Sequence, residues 1–125
     1  MDFLLESDCL DYCMVKIGNH TLVLEECKDF NKGLSKREHL LENEGMLFSF
    51  PSRGSRTFHM KDCLVPLDII FIDKGVVKKI HHNCQHCKSE DCEKFECDYA
   101  DTVVEVLGGT CKKNNISEGL IFRHF

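Results

Sequence analysis

The sequence predicts a single, mainly β domain: a small sandwich or barrel with one or two short helices. Three observations lead there. About six to eight short apolar runs are separated by turn-forming residues roughly every 8–12 positions. Helical stretches are too few to alternate with the strands as βαβ units. A chain of 125 residues that is 42% hydrophobic is enough for one domain with its own core and too short for two full domains.

The elements follow in order. Residues 13–17 and 20–24 are strand-like runs separated by Gly18-Asn19, a pair that accepts the positive φ of a tight hairpin turn. Residues 25–32 read as a short helix, with Gly33 as its left-handed cap. Residues 34–44 are polar and read as loop. Met46 to Phe50 is a strand, Pro51-Ser52-Arg53-Gly54 a turn in composition, and Thr57 to Met60 a second short strand. Leu67 to Ile72 is the most strongly β segment of the chain. Asp73-Lys74-Gly75 turns it back into Val76 to Ile80. Residues 82–100 hold clustered cysteines and little periodicity. Thr102 to Leu107 is a strand ended by Gly108-Gly109, residues 110–115 read as a helical turn or two, and Leu120 to Phe125 as a closing strand. Pro51 and Pro66 lie at strand margins, where they interrupt no ladder.

Charge narrows the partners. The net charge is −5, which argues against a general nucleic-acid coat or a basic membrane-surface protein. It is unevenly spread: residues 1–30 are net −5, residues 31–61 net +3 and residues 81–101 net −4. The basic middle suits an anion, although pairing with the acidic flanks accounts for it too. No apolar run is long enough to span a bilayer. Asp2, Glu6, Asp8 and Asp11 stand where a leader peptide needs basic and apolar residues, so an intracellular setting is expected. Residues 1–12 read as an acidic N-terminal segment, and 13–125 as the β domain with a cysteine-rich loop inserted at 81–101.

Several blocks have the order and spacing of a known family. They are Gly33 to Arg37, Glu44 to Phe48, Arg56 to Lys61 and Pro66 to Asp73, followed by Val104-Glu105-Val106 and Gly108-Gly109. Over about residues 20–125 the chain resembles the DUF192 family, whose members are compact, mainly β domains, often exported in bacteria, without an established general activity. The resemblance implies the fold more than a function. His59 stands where the family usually has an aromatic before the methionine, and Asp62-Cys63 replace its usual Asn-Thr. Cys87 and Cys92 are similar to a cysteine feature of the family's loop, whereas Cys84 and Cys97 look like additions.

Nine cysteines is a heavy load. Four of them run Cys84-x2-Cys87-x4-Cys92-x4-Cys97. In a reducing compartment this spacing reads first as a structural zinc site, because a two-residue gap brings two thiolates to one tetrahedral ion. His81, His82 and His86 are substitute ligands, and an iron–sulfur cluster is a minor branch. A Cys87–Cys92 disulfide and free thiols are the other two readings. The loop is acidic and lacks the glycine and aromatic of an RNA-binding knuckle, so no nucleic-acid partner is expected. Cys13, Cys63 and Cys111 fall in or beside apolar runs and read as core.

Arg56, His59, Lys61 and Asp68 form the second constellation. Arg56 and Lys61 suit a carboxylate or phosphate. Asp68 opens an apolar strand, where it either caps backbone amides or pairs with a base. Glu44 and Glu105 are weaker polar candidates. No G-x-S-x-G, H-E-x-x-H or P-loop motif is present. A Cys63–His59 pair on a continuous strand would be about 13 Å apart, beyond hydrogen-bond reach. The leading function is a non-enzymatic binding module: a zinc-stapled loop beside a polar groove for an anionic small molecule or peptide. The alternatives are an enzyme using that groove with His59 as acid or base, and a redox- or metal-responsive protein acting through Cys84 to Cys97.

Overall fold

In the computed structural model, which describes residues 11–30 and 32–125, the chain opens with an antiparallel hairpin. Strands β1 (Tyr12–Ile17) and β2 (His20–Glu26) pair from Tyr12 with Glu25 to Ile17 with His20. Gly18 takes φ 60° between them, as the turn requires. The expected helix over residues 25–32 does not form. Glu25 and Glu26 instead extend β2: both pair with the next strand, Glu25 also pairs with Tyr12 of β1, and the Glu26 amide bonds to the Asp11 carbonyl. What remains is one turn closed on the Asp29 carbonyl by the amides of Lys32 and Gly33, too short to nucleate a helix.

Strand β3 (Glu44–Phe58) joins β2 in parallel. The expected turn at Pro51 to Gly54 does not separate two strands. It is a bulge inside β3, where the register with the sixth strand jumps from Ser49–Thr102 to Gly54–Ala100. Proline is tolerated there because the bulge withdraws its nitrogen from the ladder. Strands β4 (Leu67–Asp73) and β5 (Val76–Cys84) form the second hairpin, and β6 (Phe95–Leu107) returns between β4 and β3. The aperiodic stretch expected over residues 82–100 thus shrinks to residues 85–94. Cys84 pairs with Leu67 at the end of β5, and Cys97 with Arg56 within β6. A single turn of helix, α1 (Thr110–Lys113), and the short β7 (Phe122–His124) complete the chain.

The sheet order is β5-β4-β6-β3-β2-β1-β7. Its two edges meet at one end. The amides of Val77 and Phe122 bond to the carbonyls of Leu120 and Gly75, and Val76 bridges Ile121. The sheet is therefore curled into a half-barrel, one of the two architectures expected. No helix among the described residues is long and apolar enough to cross a membrane.

Alternation along the strands divides the core in two. One cluster fills the curl and includes Val15, Leu24, Leu47, Ile70, Ile72, Val104 and Phe122. The opposite face carries Met46, Phe48, Ile69, Phe71, Cys84 and Val103, covered by Leu34 from the 27–43 connection and by Met60 and Cys63. With both faces covered, all seven residues of β4 are buried. That explains why its sequence is a nearly continuous apolar run.

Asp68 is the polar exception within that run. It is 0% exposed. Its carboxylate accepts bonds from the amides of Asn83 (2.8 Å), Gly109 (3.2 Å) and Cys111 (2.9 Å). One side chain thus ties β4 to the end of β5 and to the turn that starts α1. Removing it strands three inward amides. Asp68→Ala is expected to lower unfolding stability by about 3 kcal/mol, read as a lower urea midpoint with an unchanged slope. An unaltered midpoint would show that the three amides find other partners.

Candidate functional site

The covered face does not close completely. Between the 30–35 turn, the bulged half of β3 and the connector after it lies a cleft of about 510 Å³. Its walls are aromatic. Phe30 meets Phe48 and Phe50 edge-to-face at 5.5 and 5.0 Å, and Phe48 meets Phe58 at 4.9 Å. The ladder continues through Phe71 and His81 to Phe95, so the cleft wall is anchored through the core. Each such pair adds to the burial energy and fixes the ring orientations.

Three of the four groove residues expected from sequence line this cleft: Arg56, His59 and Lys61. The guanidinium of Arg56 lies 3.8 Å from the Phe50 ring centroid and donates to the carbonyls of Ala100 (3.0 Å) and Ser52. It is held rigidly as part of the wall. His59 is exposed, and its Nδ1 accepts the Lys61 amide at 3.2 Å. Lys61 pairs with Glu90 at 2.7 Å. Lys32, which sequence reasoning did not single out, adds another cation to the rim. The fourth expected residue, Asp68, is not among the lining residues. Its partners are the backbone amides described above, because a residue one step along a strand points to the other face.

Glu105 takes the place that Asp68 was expected to fill. In β6 it faces the same side as its ladder neighbours Ile69 and Met46, and it lines the deep end of the cleft. It is 4% exposed and has no hydrogen-bond or ion-pair partner among the described residues. Burial pushes its carboxyl up from 4.5 to about 8, so it is protonated at neutral pH. The backbone is fixed opposite it: a Cβ at Gly45 would run into the Glu105 carbonyl oxygen. The signal in the sequence was a lone acid between the valines of an apolar strand.

The cysteines do not assemble as a four-thiolate zinc site. Cys87 and Cys92 form a disulfide, one of the minor readings of the spacing. Cys84 and Cys97 are buried in the core of the covered face. No group of three or more His, Cys, Asp or Glu side chains suited to a metal ion occurs among the described residues. Two of the three substitute ligands are occupied differently as well: His81 meets Phe71 and Phe95 edge-on, and His86 bonds to the Cys63 carbonyl. Alternation places Cys84 and Cys97 inward while the loop between them projects outward, which separates the four sulfurs. Cys63 and Cys111 are core, as expected, and Cys13 is half-buried. Burial raises Cys63 to about 11 and Cys84 to about 12, so neither is a thiolate near neutrality. Cys9 and the remainder of the acidic segment up to residue 10 lie outside the described residues.

The disulfide loop instead braces the cleft. The amide of Asp62 bonds to the Cys87 carbonyl, the amide of Cys87 to the Met60 carbonyl, and Glu90 within the loop holds Lys61. The connector that carries Lys61 to Cys63 is thereby clamped from outside.

The family profile of DUF192, described as an uncharacterized ACR, matches residues 19–124. The chain belongs to the DUF192 family. Its fold is similar to two crystal structures. One is provisionally described as a transcription regulator from Sinorhizobium meliloti 1021: TM-score 0.85, 26% identity, covering 92% of this chain and 95% of that one. The other is a protein of unknown function from Novosphingobium aromaticivorans DSM 12444: TM-score 0.79, 22% identity, covering 98% of each. No curated protein matches the chain. DUF192 membership thus accounts for the half-barrel and leaves the cleft to be read from its own residues.

Two outcomes follow from this geometry. Unfolding releases the Glu105 proton, since an exposed carboxyl titrates near 4.5 and the buried one near 8. The folded state holds more protons across that window, so this group's contribution is full below about pH 4.5 and declines as pH rises towards 8. The thiols that sense its charge, on Cys27, Cys63 and Cys84, stay neutral throughout, each being raised by burial. Glu105→Gln is expected to remove this slope from a urea-stability profile; an unchanged slope would show that the carboxyl is ionised in the fold. Separately, a phosphine reductant is expected to shift the amide signals of Lys61, Asp62 and Cys87. It should also cost about 2 kcal/mol of stability, the value for so short a closed loop. Unshifted Lys61 and Asp62 signals after full reduction would show that the loop does not brace the cleft.

Proposed function

We propose that this chain is a non-enzymatic binding module whose cleft takes a small anionic aromatic molecule. The observation that carries the reading is the pairing of phenylalanine walls with a cationic rim: Phe30, Phe48, Phe50 and Phe58 beneath Lys32, Arg56 and Lys61. Flat rings bury against such walls, and a carboxylate or phosphate is held at the rim by charge and hydrogen bonds. Apolar lining with a few convergent polar groups is the usual composition of a small-molecule site. The cleft volume of about 510 Å³ suits a ligand of one to three rings. A binding role is favoured over catalysis because the cleft's thiol, Cys63, is held neutral by burial and His59 hydrogen-bonds its own connector. The name given to the Sinorhizobium relative belongs to that protein; ligand binding is compatible with it.

The test is an amide-detected NMR titration with 2-naphthoate, a bicyclic ring bearing one carboxylate. Shifts are expected at Phe48, Phe50 and residues 56–63. Lys32→Ala and Lys61→Ala should each weaken binding about threefold, and added salt should weaken it further, as for exposed charge pairs. Shifts confined to a second depression, lined by Arg53, Asp73, Lys79 and Tyr99, or affinity unaffected by either lysine, would overturn the reading.

A further inference from the structure

Glu105 carries an inference beyond the cleft's general preference for aromatic anions. A buried polar group without a partner is costly, and buried side-chain polar atoms are nearly always hydrogen-bonded. Asp68, one strand away and equally buried, accepts three backbone amides. Glu105 accepts none, has no partner among the described residues, and lies at the inner end of an open cleft. Its ladder neighbours on this face are Met46 and Ile69, which offer no hydrogen bonds, and the thiols close enough to sense its charge, on Cys27, Cys63 and Cys84, are weak donors.

We propose that Glu105 reads the inward end of the ligand, and that this end is a neutral amide edge, with an N–H donor beside a C=O acceptor. The chemistry is reciprocal. A neutral carboxyl offers one O–H donor and one carbonyl acceptor side by side. A primary amide, or the N–H/C=O edge of a lactam or of a flat heterocycle, presents the complementary pair in the same plane. A cationic group at that depth would have to be stripped of water against phenylalanine and methionine, at much greater cost. A purely apolar end would leave the carboxyl as it is, unsatisfied. The ligand class is therefore a flat ring system with an anionic group outward, at Lys32 and Lys61, and an amide edge inward, at Glu105.

This inference rests on the cleft being the binding site, and the experiment separates the two. The probes are 2-naphthoate and 6-carbamoyl-2-naphthoate, which differ only by the amide at the far end of the ring. Both are titrated into the protein at about pH 6, where the Glu105 carboxyl is neutral. The carbamoyl compound is expected to bind about tenfold more tightly, the worth of two added hydrogen bonds. Glu105→Gln keeps a donor and an acceptor and should retain most of that preference. Glu105→Leu keeps the shape and should bring the two probes to equal affinity. Glu105→Leu removes a buried unpaired polar group and Glu105→Gln replaces it with one of the same size, and unchanged strand amide signals verify that both fold. Equal affinity of the two probes, with 2-naphthoate shifting the cleft amides, would overturn the role of Glu105 and leave the cleft reading standing. Failure of both probes to shift those amides would overturn both.

Discussion

The organising constraint of this structure is that its central strand is buried on both faces. Every residue from Leu67 to Asp73 is inside, so each side of the sheet needs its own cover. One face is covered by curling: β1, β2 and β7 swing round until the edge amides of Val77 and Phe122 find acceptors on the opposite edge. Among the described residues no helix lies on the other face. It is covered by two irregular segments, the 27–43 connection carrying Leu34 and the connector carrying Met60 and Cys63. Irregular cover leaves gaps where its edges do not meet. The cleft is such a gap: of its phenylalanines Phe48 belongs to the core of that face, Phe50 and Phe58 are partly buried against it, and Phe30 stays exposed.

Two buried carboxyl groups show how the sheet assigns roles by face. Asp68 and Glu105 sit on neighbouring strands, Asp68 beside Val106 and Glu105 beside Ile69. One step of register separates them, and in a pleated strand one step means the opposite side. Asp68 points where chain ends converge, and three amides there need an acceptor. Glu105 points to the face whose cover is incomplete, and no amide reaches it. The first acid is a structural tie. The second has spare hydrogen-bonding capacity in a place a ligand can enter.

The cysteines follow the same logic. Cys84 and Cys97 lie in strands, where alternation turns them into the core. Cys87 and Cys92 lie in the outward loop and are joined to each other. A spacing that would suit four-fold coordination in a free loop is divided by the strands that flank it. The loop, held by its disulfide and by the Lys61–Glu90 pair, then supports the connector that forms one side of the cleft.

The sequence by itself determined the strands and the class of fold. The apolar runs at 13–17, 20–24, 67–72, 76–80 and 102–107 all lie in strands, because period-two burial and turn residues are local signals. Arg56, His59 and Lys61 border one cleft because all three lie on one short stretch of chain. The tertiary structure decided the rest. It drew Glu25 and Glu26 into β2, because pairing with the neighbouring strand outweighs the weak helical tendency of a short segment. It turned a proline-containing turn into a bulge, and divided the four cysteines. It exchanged Asp68 for Glu105 as the acid of the cleft. None of these is visible along the chain, because which neighbour a strand acquires, and on which face, depends on residues far away in sequence.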